Sequence, residues 1–173
     1  GFASQAEIPG TPLVADVMAN EFLRRYTWPT TVSLIEGETS PQGLYPKLSP
    51  QLEATARRIL ALPHVEPATH TWSHPFFWAD AELGVTRPGR VVSLKLPGYR
   101  YDARREIDGS RNYVDRLAGG KKTRLVLWSG DTQPLSGTVA MAYGVGLLNL
   151  NGGYTTISRA EPSLTRVGPL GVM

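Results

Sequence analysis

Hydrophobic positions recur with two different periods along the chain, and the change of period predicts its elements. Apolar residues from Thr11 to Arg25 follow helical spacing, and Thr11-Pro12 is a helix-start signal. Residues 30–36 alternate β-branched and apolar side chains, as a buried strand does. We therefore predict a helix over 12–25 and a strand over 30–36, followed by a polar loop over 37–43.

The rest of the chain continues this alternation of helices and strands. A second helix begins at Ser49-Pro50 and ends near Pro63, and a strand follows over 65–69. Residues 79–100 are predicted to form a long loop, because prolines and glycines interrupt any periodicity there. A helix over 103–117, a strand over 124–128, a short helix over 135–143 and a strand over 147–149 complete the pattern, before a turn at Gly152-Gly153.

This order of elements predicts an α/β fold with a parallel sheet and right-handed crossovers. A chain of 173 residues with 41% hydrophobic content is long enough to bury a core, so we expect one domain over 1–173. No internal repeat or low-complexity tract divides it.

Composition narrows the classes of function. The chain has no cysteine, so any metal must be held by histidine, carboxylate or water. No apolar run approaches the roughly 20 residues that a membrane span needs, and the N-terminus lacks the pattern of a signal peptide. The net charge of +3 comes from scattered basic pairs rather than from a stripe, so we expect no nucleic-acid partner.

Candidate chemistry is concentrated in residues 69–75, where His70 and His74 lie four positions apart. Pro75 disfavours a helical conformation at His74, so the pair is expected in a loop at the carboxyl end of a strand. Two imidazoles can supply two corners of a metal site, but a catalytic metal usually has three protein ligands. The alternative is structural: one histidine caps the loop and the other packs on Trp72.

An aromatic run follows directly, at Phe76-Phe77-Trp78. Such a run can be a stacking platform for sugar rings or a plug over the core, and the sequence leaves both interpretations open.

Several strings of residues resemble a known family. His70-Thr71-Trp72-Ser73-His74 is similar to the His-[Ser/Thr]-x-x-His metal motif of the NodB-type polysaccharide deacetylases. The resemblance is closest to the deacetylase domain of the Pel exopolysaccharide-modifying protein, and it runs nearly from end to end. The strings that carry it are Gly1-Phe2-Ala3-Ser4, Arg105-Glu106-Ile107-Asp108-Gly109-Ser110, Leu127-Trp128-Ser129-Gly130-Asp131 and Leu148-Asn149-Leu150-Asn151-Gly152-Gly153.

The resemblance implies an irregular (β/α) barrel of the polysaccharide deacetylase type, present as a central fragment that lacks the first strand and the C-terminal part. It implies that His70 and His74 bind a divalent metal, expected to be zinc. Asp131 would orient a base or a histidine, although it could instead cap the helix near Pro134, and Arg105 would replace the arginine that orients the base. The residues expected to bind substrate are Trp72, Phe77, Trp78 and Tyr99.

The implied activity is N-deacetylation of an acetylated amino-sugar exopolysaccharide of the biofilm matrix, in the periplasm. The implied partners are that polysaccharide and the exopolysaccharide export machinery. The family's paired aspartates, a base and a metal ligand, would precede Gly1, and no histidine follows His74 to act as the acid. We therefore expect that this chain does not turn over alone. One alternative is a non-catalytic polysaccharide-binding domain on the same fold, and another is a structural domain with an incidental histidine pair.

Both His70 and Asp131 follow predicted parallel strands, and such strand ends share one edge of a sheet. We therefore expect the two residues to lie in a single pocket.

Overall fold

Four strands form a sheet in which every pairing is parallel. In the computed structural model, which describes residues 1–3, 10–151 and 165–172, their order is β1-β2-β3-β4. Leu34 pairs with Thr69 and Thr69 with Val126, so the carboxyl ends of neighbouring strands lie at one edge. The strands are β1 (Thr30–Leu34), β2 (Val65–Thr69), β3 (Leu125–Leu127) and β4 (Leu148–Leu150). The predicted α/β class and parallel sheet are confirmed.

Helices connect these strands. They are α1 (Val14–Val17, continued by a π-helical turn over Met18–Leu23), α2 (Glu36–Thr39), α3 (Ser49–Leu60), α4 (Trp78–Leu83), α5 (Ser110–Leu117, preceded by a π-helical turn over Arg105–Gly109) and α6 (Ser136–Gly144). Two further strands, β5 (Thr165–Val167) and β6 (Leu170–Val172), pair antiparallel, and β6 contacts β4 and α6. None of the helices in the described ranges is long and apolar enough to cross a membrane.

Two predicted loops contain short helices. The polar loop over 37–43 begins with α2. The Thr39 N–H donates a hydrogen bond of 3.1 Å to the Ile35 carbonyl, which stabilises this short helix. The long loop over 79–100 begins with α4, which ends at Gly84 with a φ of 65°. Neither helix is long enough for a hydrophobic period to show in the sequence. The predicted turn at Gly152-Gly153 lies outside the described residues.

The buried side chains form two clusters. One joins α1, α3 and α5 to β1, and the apolar stripe of α3 supplies four of its members, Leu52, Ala56, Ile59 and Leu60. The other surrounds Trp78 and Trp128, whose rings meet edge to face with centroids 4.8 Å apart. Trp78, the last residue of the aromatic run, belongs to this second cluster and so anchors the run to the core.

Leu34 tests the packing of the first cluster. It is 0% exposed, whereas Leu148, also on a strand, is 52% exposed. Leu34→Ala should lower the free energy of unfolding by about 2–5 kcal/mol, because a buried cavity replaces the isobutyl group. Leu148→Ala, the control, should change it by no more than about 0.5 kcal/mol. Urea denaturation measures both, and equal losses would contradict this description of the core.

Candidate functional site

The predicted histidine pair is brought together in a sharp turn after β2. Thr71 and His74 have φ values of 70° and 48°, in the left-handed region that residues other than glycine rarely adopt. The turn places the His70 and His74 rings side by side, with centroids 4.9 Å apart and planes at 63°. The strand end therefore presents two imidazoles to one region of space.

The two imidazoles are held in the form that binds metals. His70 Nδ1 lies 2.7 Å from the Leu127 carbonyl, so Nδ1 carries the proton and Nε2 keeps its lone pair. His74 Nδ1 is buried and has no hydrogen-bond partner in the described structure. Burial lowers the pKa of His70, and burial together with the neighbouring His70 lowers the pKa of His74 to about 4. Both rings are therefore neutral at pH 7.

A buried carboxylate holds the loop between the histidines. Glu106, 0% exposed, accepts hydrogen bonds from the backbone N–H groups of Trp72 and Ser73, both at 2.9 Å. It also accepts from the Ser73 hydroxyl at 2.5 Å and from the Tyr99 hydroxyl at 2.6 Å. A carboxylate away from water is costly unless its oxygens are satisfied, and these four donors satisfy them. Glu106 therefore stabilises the conformation of the loop from its buried side.

Arg105 supports the same loop through Trp72. Its guanidinium binds Glu36 through two hydrogen bonds of 2.7 Å and lies 4.1 Å from the centre of the Trp72 ring. Burial raises the pKa of Glu36, and the bonds from Arg105 oppose that rise. Both terminal nitrogens of Arg105 are thus engaged by Glu36, and the role of Arg105 in orienting a base stays a prediction.

Two of the expected substrate-binding residues are core residues. Trp78 is 0% exposed, and its indole N–H donates to the Ser129 carbonyl at 3.0 Å. Trp72 is 5% exposed beneath Arg105. Neither ring has a face that a sugar could reach, so their assignment as substrate-binding residues is wrong and Trp78 is a plug over the core. Phe77 is half-buried, and Tyr99 donates its hydroxyl to Glu106.

Asp131 shares the edge of the sheet with His70 but not its pocket. It follows β3 as His70 follows β2, yet it lines a groove with Phe76 and Phe77, while the histidines line a separate cavity. The predicted single pocket is therefore wrong. The Asp131 N–H donates to the Phe76 carbonyl at 2.9 Å, which folds the turn after β3 towards Phe76. Its Oδ1 accepts from the Trp78 N–H at 3.1 Å, so Asp131 caps the start of α4 rather than the helix after Pro134.

The histidine cavity has a volume of about 460 Å³ and a second carboxylate in its wall. Its lining includes Gly1, Phe2, Ile35, Glu38, His70 and His74. Glu38 Oε2 is buried and makes no hydrogen bond within the described structure. The sequence analysis missed Glu38 because it falls in a predicted polar loop, and it assigned no role to Glu106 because no spacing marks a buried carboxylate.

Over residues 1–3, 10–151 and 165–172, no group of three or more His, Cys, Asp or Glu side chains is placed to hold a metal ion. In comparisons with known proteins, no family model, curated protein or solved structure matches this chain. The functional argument therefore depends on the residues and their geometry.

Removing the Glu106 carboxylate should loosen the histidine loop. Glu106→Ala leaves several buried donors without an acceptor, and since each costs about 1–3 kcal/mol, the free energy of unfolding should fall by more than about 2 kcal/mol. Glu66→Ala, on the exposed side of β2, is the control and should change it by about 0.5 kcal/mol or less. The imidazole NMR signals of His70 and His74 should shift in the Glu106 variant alone. Unchanged signals would show that Glu106 does not position the pair.

The neutral histidines predict how stability depends on pH. As pH falls from 6.5, the ordinary histidine pKa, towards about 4, the unfolded chain takes up protons that the folded chain does not. The free energy of unfolding should therefore decrease over this range, while these two groups contribute no slope above about pH 7. Urea denaturation from pH 7 to 4 measures the decrease, which should be smaller in His70→Gln/His74→Gln. A decrease of the same size in that variant would disprove the assignment.

Proposed function

We propose that this chain is a metal-dependent N-deacetylase domain that acts on an acetylated amino-sugar polysaccharide. The observation that carries the proposal is the pair of neutral, adjacent imidazoles of His70 and His74 at the carboxyl edge of a parallel sheet. That edge is where α/β proteins place their sites, because the connecting loops meet there. The NodB-type resemblance in residues 70–74 supplies the reaction and the class of substrate.

The donors present fit a divalent metal of the zinc type. Imidazole nitrogen is a preferred zinc ligand, and the Leu127 carbonyl orients His70 in the way that such ligands are commonly oriented. The buried Nδ1 of His74, which lacks a partner among the described residues, is a group that a bound ion would satisfy. The resemblance implies a third ligand from an aspartate adjoining Gly1, and Gly1 lines the same cavity as both histidines.

The chemistry would be hydrolysis of an amide. Water adds to the N-acetyl carbon, the C–N bond breaks, and the departing nitrogen takes a proton to become an amine. A bound divalent metal would polarise the carbonyl and make the attacking water more acidic. Glu38, with a buried and unpaired Oε2 in the cavity wall, is a carboxylate that can hold a water or a substrate N–H there.

The finer features implied by the resemblance belong to the same proposal. They are an irregular (β/α) barrel, a periplasmic location, and a functional connection to exopolysaccharide export. The parallel four-stranded sheet, with its histidines at the carboxyl edge, is compatible with such a barrel.

A second candidate function is non-catalytic binding of polysaccharide. It is favoured by the open groove beside the histidines, where Phe76 and Phe77 are half-buried. It is also favoured by the lack of a three-ligand group within the described ranges. This function would need the groove but not the histidine pair.

Zinc titration calorimetry tests the metal site. The 173-residue chain should bind zinc, though weakly, because two histidines are a poor site. His70→Ala and His74→Ala should each weaken zinc binding at least about tenfold. A tenfold change corresponds to about 1.4 kcal/mol, and the loss of one metal ligand should cost at least that much. His64→Ala is the control, since the His64 ring bonds to Leu23 at the other end of β2. Zinc binding unaffected by the His70 and His74 variants would refute the site.

Acetate release distinguishes the two functions. The protein is incubated with N-acetylglucosamine oligomers and zinc. Release that disappears in His70→Ala and in His74→Ala supports the deacetylase. Oligomer binding without acetate release supports the binding domain instead.

A further inference from the structure

A second open groove begins beside the histidine cavity. Its volume is about 810 Å³, and its walls include Phe76, Phe77, Arg90, Gly130 and Asp131. Phe76 connects the two spaces, because its ring lines the groove and also meets the His74 ring edge-on, with centroids 4.9 Å apart. A ligand that extends past His74 on the Phe76 side would therefore enter the groove.

The aromatic wall of the groove is held rigidly from two sides. The Phe76 and Phe77 N–H groups donate to the Val92 carbonyl at 2.7 and 3.3 Å, and the Phe76 carbonyl accepts from Asp131. Gly130 has a φ of 59°, and a Cβ there would lie 2.4 Å from Phe76 Cα, so only glycine allows this approach. The backbone that carries the two half-buried rings is thus held in place before any ligand arrives, which reduces the entropy lost on binding.

Arg90 supplies fixed hydrogen-bond donors. Its guanidinium lies 4.0 Å from the centre of the Phe77 ring, and its Nη1 binds Asp80 Oδ2 at 2.9 Å. Within the described part of the chain, no hydrogen bond engages Nε or Nη2 of Arg90, so both can donate to a ligand. Asp131 supplies the complementary acceptor, since its Oδ1 is used by backbone N–H groups and its Oδ2 is not.

The charges around the groove favour an uncharged ligand. Two arginines, Arg87 and Arg90, share Asp80, and Asp131 adds a second carboxylate, so the two positive and two negative charges cancel. A phosphate or an acidic peptide would meet the Asp131 carboxylate in the groove wall, and a polycation would meet the Arg90 guanidinium. An aromatic wall with both donors and acceptors is typical of sites for neutral sugars.

We propose that this groove binds the N-acetylhexosamine residue that adjoins the one held at the histidines, a step that rests on the proposed function. The Phe76 and Phe77 rings would pack on the apolar face of the sugar. Arg90 would donate to an acetamido or hydroxyl oxygen, and Asp131 would accept from a hydroxyl or amide group. The site therefore selects a polymer that is still acetylated beyond the reacting residue.

Calorimetric titration with the N-acetylglucosamine tetramer tests this inference. Arg90→Met keeps the apolar stem but loses the donors, and it should weaken binding about tenfold, as expected for a hydrogen bond to a charged group. Arg87→Met is the matched control, because Arg87 also binds Asp80 but does not line the groove. Arg87→Met should change the Kd by less than about twofold, which is well below the tenfold change, about 1.4 kcal/mol, expected for Arg90→Met. Phe77→Leu, which keeps an apolar side chain but removes the aromatic ring, should also weaken binding.

The same titration separates this inference from the metal site. In the His70→Ala/His74→Ala background, Arg90→Met should still weaken tetramer binding about tenfold relative to Arg87→Met, a difference of about 1.4 kcal/mol, because the groove does not use the imidazoles. Equal affinity of Arg90→Met and Arg87→Met, or no tetramer binding by the folded chain, would overturn the inference even if zinc binds the histidines. Tighter binding of the glucosamine tetramer or of inorganic phosphate would overturn it as well.

Discussion

The carboxylate of Glu106 is the constraint on which the candidate site depends. It is fully buried, 34 positions along the chain from Trp72, and it accepts from the two N–H groups that follow Thr71. Thr71 and His74 occupy left-handed backbone conformations that cost free energy, so the loop keeps its shape only while the surrounding contacts compensate for that cost. Only a side chain with acceptors and no donor can satisfy four donors at once, which explains a carboxylate rather than an amide at this position. The placement of both imidazoles follows from this one buried group.

The elements that the sequence predicted are those with enough length for a period to appear. α3 and β1 bury regular stripes, and their parallel arrangement followed from the alternation of helix and strand. α2 and α4 were missed because each has less than two turns and depends on distant partners; the start of α4 is capped by Asp131. The histidine pair was predictable because His70 and His74 lie only four positions apart in the sequence. The role of Glu106 was not, because three of the four donors it binds lie on Trp72 and Ser73, which only the tertiary fold brings close to it.

Asp131 shows the limit of the rule that the carboxyl ends of parallel strands bring their residues to one edge of a sheet. Two parallel strands do deliver His70 and Asp131 to the same edge of the sheet. The turn after β3 then decides which space each residue faces: the Ser129 hydroxyl donates to the Pro75 carbonyl at 2.8 Å, and Gly130 packs against Phe76. These contacts bring Asp131 to the far side of Phe76 from the histidines. A single edge therefore carries two neighbouring sites with one aromatic residue between them, an arrangement that topology alone cannot specify.

The two sites achieve electrical neutrality by different means, and the difference matters for what they can bind. In the histidine cavity, burial lowers the pKa of both imidazoles, so their nitrogen lone pairs remain available to a cation. Beside the groove, Asp80 binds Arg87 and Arg90, whose hydrogen bonds lower the pKa of the Asp80 carboxyl. The charges around the groove therefore cancel, while Arg90 and Asp131 keep a directional donor and acceptor in its wall. A ligand that occupied both sites would need, at one end, an oxygen that can bind the cation proposed at the histidines. At the other end it would need uncharged groups that form hydrogen bonds. The proposed substrate, an acetylated amino-sugar polymer, would meet both requirements through its carbonyl oxygens and hydroxyl groups, whereas a uniformly charged polymer would meet only one.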